Sequence, residues 1–270
     1  MKFPKMYRIR QQFDKTTLND IRKEVLEQLS KLSWNQIQPG HSVAIAAGSR
    51  GIANFAEILK AIVEFLKSLD ARPFIFPAMG SHGGATAEGQ VAVLTQLGVT
   101  DFYVQAPIRS SMEVRQIGVT EDDVPVFLDK NALDADHIIV VNRIKSHTKF
   151  KASIESGLMK MMAIGMGKHK GAAYYHKAAV QYTFPKIIRD AAGIVMRQCP
   201  VICAVGIVEN GYGETIRIVA LKSDAIESNE KKLLSLSKKL MAHLPFNEID
   251  LLIVDEMGKN ISGEIGRAHV

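Results

Sequence analysis

Apolar residues recur along this chain in two alternating rhythms. Between Thr17 and Trp34 they fall at Leu18, Ile21, Val25, Leu29 and Leu32, the three-and-four spacing of an amphipathic helix. Thr17-x-x-Asp20 opens that helix as a variant of the capping box. A short unbroken apolar run, Ser42 to Ala47, predicts a buried strand, and Gly48-Ser49-Arg50-Gly51 follows it. A second helix carries Phe55, Ile58, Leu59, Ile62, Phe65, Leu66 and Leu69. The next strand, Arg72 to Phe76, runs into Gly80-Ser81-His82-Gly83-Gly84 and a helix from Thr86 to Leu97. Val124 to Leu128 and His137 to Val141 read as further strands, the second leading into Arg143-Ile144-Lys145-Ser146-His147. The stretch from Ser153 to Gln198 is mostly helical, interrupted at Gly165 to Gly171 and again near Pro185. Val201 to Val208 and Thr215 to Leu221 flank Asn210-Gly211-Tyr212-Gly213 as a hairpin. A helix with Ile226, Leu233, Leu236 and Leu240 comes next, and Ile249 to Val254 is expected as the last strand. Such alternation predicts one α/β unit, a mostly parallel sheet with helices on both faces, Rossmann-like.

Composition narrows the class. With 47% hydrophobic and 23% charged residues, the chain has ordinary globular content, which argues against disorder. No apolar run approaches the ~20 residues that span a bilayer. The start, Met1-Lys2-Phe3-Pro4-Lys5-Met6, lacks the apolar stretch of a signal peptide. Cys199 and Cys203 exclude a disulfide framework, and the expected location is cytoplasmic. The net charge of +6 is scattered, apart from Lys145, Lys149 and Lys151 in one group and Lys168, Lys170 and Lys177 in another. No zinc-finger spacing or aromatic RNA-binding motif accompanies these lysines, so neither nucleic acid nor a membrane is expected as a partner.

Ligands of open α/β sheets bind beyond the carboxyl ends of the strands. Three predicted loops at such ends carry Arg50, His82 and His147. Read as the opening of a helix, Gly48-Ser49-Arg50-Gly51 offers free N–H groups, a hydroxyl and a guanidinium to a phosphate or carboxylate; the plainer reading is a βα turn with a solvated arginine. His82 and His147 are candidates for a general acid or base near neutral pH, because an unperturbed imidazole titrates at ~6.5; the plainer reading of each is a polar loop histidine in water. His41, His137 and His243 are read as ordinary. From Glu155 to Gly171 the chain is unusual, fitting neither a dinucleotide fingerprint nor a P-loop. Lys160 keeps apolar company there, with Leu158, Met159, Met161 and Met162. Desolvation would depress its pKa and make it a nucleophile or covalent anchor; the alternative is a snorkelling helix lysine. His169 and His176 stand two helical turns apart, and a single histidine ligand is more economical than a metal pair.

Together these residues resemble the nickel-dependent lactate racemase family, from about Val43 to Gly263. The family's Asp-x-Thr-Arg loop looks like Ala47-Gly48-Ser49-Arg50, with arginine kept and alanine in the aspartate's place. Its Gly-Thr-His loop looks like Gly80-Ser81-His82, and its second catalytic histidine like His147. Its Ser-Gly-Gly-x-Lys segment is similar to Ser156-Gly157-Leu158-Met159-Lys160, and the metal-binding histidine, sixteen residues on, falls at His176 with Gly165 between. The gap from His147 to Lys160 is three residues longer than in lactate racemase, implying a variant substrate pocket.

What the resemblance implies is a racemase or epimerase of a small 2-hydroxy acid. Its cofactor would be the nickel-pincer nucleotide, Ni(II) pyridinium-3,5-bisthiocarboxylic acid mononucleotide. Lys160 would tether it, Gly48, Ser49 and Arg50 would contact it, and His176 would complete the nickel site. His82 and His147 would alternate as base and acid while a hydride passes reversibly to the pyridinium ring. Cofactor-synthesis enzymes are implied as partners. Residues 1–263 would form the N-terminal catalytic and cofactor domain. Residues 264–270, of which Ile265 to Val270 match an in-frame translation of a sequencing-library adapter, would be a non-native tail where a C-terminal domain is missing, leaving the fragment inactive. A dinucleotide-binding oxidoreductase and a non-catalytic protein that kept the fold stay open as alternatives.

Overall fold

The computed structural model describes residues 5, 7–147, 150–246 and 248–256. In chain order the first half holds α1 (Ile21–Ser30), β1 (Ser42–Ala47), α2 (Phe55–Ser68), β2 (Arg72–Pro77), α3 (Ala87–Gln96) and the single turn α4 (Asp101–Val104). Next come β3 (Val114–Val119), β4 (Pro125–Asp129), the turn α5 (Lys130–Leu133) and β5 (His137–Arg143). The second half adds α6 (Leu158–Lys160), a π-helical turn over Met161–Gly165, α7 (Lys168–Ala178) and α8 (Phe184–Gln198). It ends with β6 (Val201–Glu209), β7 (Thr215–Lys222) and α9 (Ile226–Leu240).

Five strands form one sheet in the order β2-β1-β5-β6-β7. The first four run parallel, and β7 returns antiparallel through the hairpin at Asn210–Gly213. Side chains alternate across the central strands, as the two-residue period of a strand requires. Val43, Ile45 and Ala47 pack beneath α1 and α2, while Ala44 and Ala46 join Phe74, Phe76, Ile138 and Val140 beneath α8 and α9. Both faces are therefore dry, and this explains why β1, β2 and β5 read as unbroken apolar runs. The expected α/β architecture is the one observed.

Several boundaries move. The first helix is shorter than Thr17–Trp34, and its cap is Asp20, whose carboxylate accepts from the Lys23 amide at 2.8 Å. The strand expected near Val124 lies outside the main sheet, paired antiparallel with β3. The expected strand over 249–254 does not form: it has no ladder partner among the described residues, and Leu251 and Ile253 are exposed. The expected tail at 264–270 and the stretch 257–263 lie outside the described residues, as do Lys149 and most of the first six positions.

Candidate active site

Between β1 and β5 the strand order reverses, since β1 connects to β2 on one side and β5 lies on the other. This is the switch point where open sheets leave a crevice at their carboxyl ends. A cleft of about 780 Å³ opens there. The loop after β1 supplies Gly48, Ser49 and Arg50, the loop after β2 supplies His82, and the loop after β5 supplies Lys145 and His147. Facing them, the α6 turn presents Lys160, α7 presents His176, and Phe150 and Phe184 complete the wall. All seven candidate residues read from the sequence line this one cleft. His169, also on α7, does not.

One expectation about the first loop is corrected. Gly48-Ser49-Arg50-Gly51 does not open a helix; α2 begins only at Phe55, after Asn54 in the left-handed region. The loop therefore offers no helix N-terminus, and its use lies in its side chains and in close packing. Ser49 Oγ is hydrogen-bonded to His82 Nδ1, tying the loops after β1 and β2 together. A Cβ on Gly48 would come within 3.0 Å of Met161 Cε, so glycine lets this loop approach the π turn.

The loop carrying His147 is pinched at its base. Lys145 and Ser156 exchange backbone hydrogen bonds of 2.8 and 3.2 Å. Inside the loop, Glu155 is buried and accepts from the amides of His147 (2.6 Å) and Ala152 (2.9 Å), while Lys238 of α9 pairs with it at 2.6 Å. His147 stacks on Phe150 with ring centroids 4.3 Å apart, and His176 stacks on Phe184 at 5.5 Å. Phe150 and Phe184 meet edge to face at 5.7 Å. Four rings thus run from one histidine to the other and restrict both imidazole planes.

The turn bearing Lys160 runs straight into the π turn, closed by a bond of 2.9 Å from the Met166 amide to the Met161 carbonyl. Lys160 is half-buried, while Leu158, Met159, Met161 and Met162 point into the core. Glu230 reaches this turn from α9, its Oε2 accepting from the Met159 amide at 2.8 Å. Burial pushes the Glu230 carboxyl up to about 7. Gly165 allows the π turn to touch the loop after β2: a Cβ there would lie 2.5 Å from the Ala78 carbonyl oxygen, and Gly80 N–H donates to the Gly165 carbonyl at 3.1 Å.

Beneath His82 lies a buried polar network that the sequence reading missed. Lys168, in the left-handed region at φ 55°, is wholly enclosed. Its ammonium pairs with Asp129 at 3.0 Å and donates to Gln90 Oε1 at 2.8 Å and to the Pro77 carbonyl. Burial raises the Asp129 carboxyl and lowers the Lys168 ammonium from their ordinary values. Gln90 in turn donates to the carbonyls of Gly80 (2.9 Å) and His82 (3.3 Å), fastening the histidine loop from below. Glu230 was legible in principle, because it occupies the apolar face of α9 between Ile226 and Leu233. No local pattern marks Lys168.

A second concavity, about 630 Å³, lies between α8 and the turn after β3. It is lined by charges of both signs, with Arg189 paired to Glu227 at 2.9 Å. Among the described residues no three His, Cys, Asp or Glu side chains gather to hold a metal, and no helix is long and apolar enough to cross a membrane.

Residues 14–186, which span the switch-point loops, the Lys160 turn and α7, match the lactate racemase N-terminal domain. The chain belongs to that family. Its fold is similar to that of the lactate racemase apoprotein from Thermoanaerobacterium thermosaccharolyticum, with a TM-score of 0.59 at 15% identity. The likeness covers 80% of this chain and 55% of that one, so the chain spans about half the length of its relative. No curated protein matches it in sequence. At this identity the structural likeness supports the fold alone, and the chemistry rests on the cleft.

Proposed function

We propose that this chain is the N-terminal catalytic and cofactor-binding part, residues 1–263, of a racemase or epimerase acting on a small 2-hydroxy acid. The observation that carries the reading is convergence. Gly48, Ser49, Arg50, His82, His147, Lys160 and His176 come from five separate stretches of chain and line one cleft at the switch point. A volume of about 780 Å³ is large enough for a mononucleotide together with a small acid.

The nickel-pincer nucleotide fits this donor set. His176 offers one imidazole nitrogen, a donor that Ni(II) takes readily, and the remaining donors would belong to the organic group. Lys160 offers an amine for its covalent attachment, and Arg50 and Ser49 offer a cation and a hydroxyl to its anionic parts. The chemistry that such a group would supply when bound is reversible hydride acceptance at the substrate's second carbon. The chain's own task is to position the substrate and move its proton. His82 and His147 enter the cleft from different loops, so one takes the 2-hydroxyl proton as the carbonyl forms and the other supplies a proton for the reverse step. Each should contribute roughly 10²–10⁴-fold. Ser49 on Nδ1 of His82 fixes its ring orientation, and Phe150 does so for His147.

The test is co-expression with the cofactor-synthesis enzymes, followed by metal analysis and intact-protein mass spectrometry. Nickel together with a mass addition that Lys160→Ala abolishes supports the reading. His176→Ala should lose nickel, whereas His82→Ala and His147→Ala should retain it. A mass addition that survives Lys160→Ala, or a chain that takes up a dinucleotide and no nickel, sinks it.

A further inference from the structure

The turn that carries Lys160 has no cap from its own sequence. Gly157, which precedes it, has no side chain to accept from the first amides. The Met159 amide is met from α9 instead. Glu230 is fully buried and its Oε2 accepts from Met159 N–H at 2.8 Å, while the neighbouring Leu158 amide helps to favour its charged form against the desolvation that raises its pKa. Oε1 has no hydrogen-bond partner among the described residues, and a Cβ built on Gly157 would collide with it. The Gly157 carbonyl is occupied separately, accepting from Asn142 Nδ2 at 2.8 Å. A carboxyl buried this deeply, with one oxygen on the Met159 amide and the other without a hydrogen-bond partner among the described residues, is unusual for a helix that needs only an apolar residue at that position.

We propose that Glu230 is a positioning residue for Lys160: its carboxyl, reaching in from α9, caps the α6 turn and sets where the lysine amine enters the cleft. The same contact accounts for glycine at position 157, since the carboxyl fills the space that a side chain would need. The functional weight of this cap rests on the reading of Lys160 as the cofactor anchor; the cap itself is measurable without any cofactor.

The experiment compares the chain as isolated with Glu230→Gln, Glu230→Leu and Gly157→Ala. Amide hydrogen exchange is followed over 158–165, and acetylation of Lys160 by acetic anhydride is followed by peptide mass spectrometry against exposed Lys170 as internal reference. Glu230→Leu keeps the bulk and removes the acceptor. It should speed exchange at Leu158 and Met159 by roughly three- to thirtyfold, the effect of losing a cap of ordinary strength. It should also change Lys160 acetylation relative to Lys170. Glu230→Gln keeps an acceptor oxygen and should restore both readouts. Gly157→Ala, which pushes the carboxyl off the amides, should reproduce the leucine variant, and it carries the test if Glu230→Leu fails to fold. Unchanged exchange and labelling in Glu230→Leu or Gly157→Ala, or no rescue by Glu230→Gln, overturns the proposal. Intact positioning with no adduct after cofactor loading would count against the function reading alone.

Discussion

A Lys168→Met substitution removes a cation from a place that water does not reach. In the folded chain the ammonium sits 3.0 Å from Asp129 Oδ2 and 2.8 Å from Gln90 Oε1, and both side chains of the pair are 0% exposed. Methionine has similar length and the same intolerance of the left-handed backbone, so that strain largely cancels between the two proteins. The uncompensated Asp129 carboxylate remains. Breaking a buried pair from one side destabilises by about 3–5 kcal/mol. For a chain of this size that is a fall in Tm of roughly 6–20 °C. Asp129 can relieve the penalty by taking a proton, and burial already raises its pKa in the intact pair. Without Lys168 the folded-state pKa stands further above the unfolded value, so the folded variant binds a proton that the unfolded chain releases. Stability lost at neutral pH is therefore regained as pH falls, at no more than ~1.4 kcal/mol per pH unit. Urea denaturation of both proteins at pH 7.5 and pH 6 measures this directly. Adding Asp129→Asn removes the stranded charge and should recover much of the loss at pH 7.5. A deficit below about 1 kcal/mol, a deficit unchanged between the two pH values, or no recovery in the double variant would refute the reasoning.

Other expectations follow from single contacts. His137 is buried, and desolvation followed by neighbouring His41, 3.0 Å away, holds its pKa below 6.5; its contribution is complete above that pH and is lost as pH falls, a slope that His137→Gln should flatten in urea titrations from pH 7.5 to 5. Gly165→Ala places a methyl 2.5 Å from the Ala78 carbonyl oxygen and 2.6 Å from Met161 Sδ, which should destabilise by roughly 1–3 kcal/mol; an unchanged thermal midpoint would contradict the close packing. Glu155→Ala leaves the His147 and Ala152 amides and Lys238 without their acceptor, at about 1–3 kcal/mol. Trypsin should then cut faster after Lys151, and wild-type resistance would count against the clamp.

The legible part of this molecule is the part that chain-local physics decides. β1, β2 and β5 are buried on both faces, so their apolar runs stand out, and the loops after them could be placed at the carboxyl edge from sequence order alone. β3 escaped because only half of it is covered and it bonds to β4 across a bulge near Gly118. The apolar run at 249–254 misled because hydrophobicity alone does not supply a ladder partner. Within the site, residues that face the cleft were legible by their chemistry. The residues that hold them in place were not, since each acts across a long sequence separation: Glu230 on Met159, Lys168 on Gln90, Lys238 on Glu155.

Those hidden contacts share a physical logic. His82, His147 and Lys160 sit on loops and a short turn, which have few backbone hydrogen bonds of their own and so cannot hold a side chain to a fraction of an ångström. Each is fastened by an ionisable group taken out of water: Lys168 through Gln90 for His82, Glu155 for His147, Glu230 for Lys160. A buried polar group is strongly directional, because any displacement leaves it unpaired in a medium of low dielectric. Two of the three fastenings end on one helix, since Glu230 and Lys238 lie about two turns apart on the face of α9 that meets the Lys160 turn and the His147 loop. Lys160 and His147 are therefore not independent. A shift of α9 that moves the lysine's turn must also pull on the loop of the histidine, so substitutions far from the cleft on this helix should disturb both positions together.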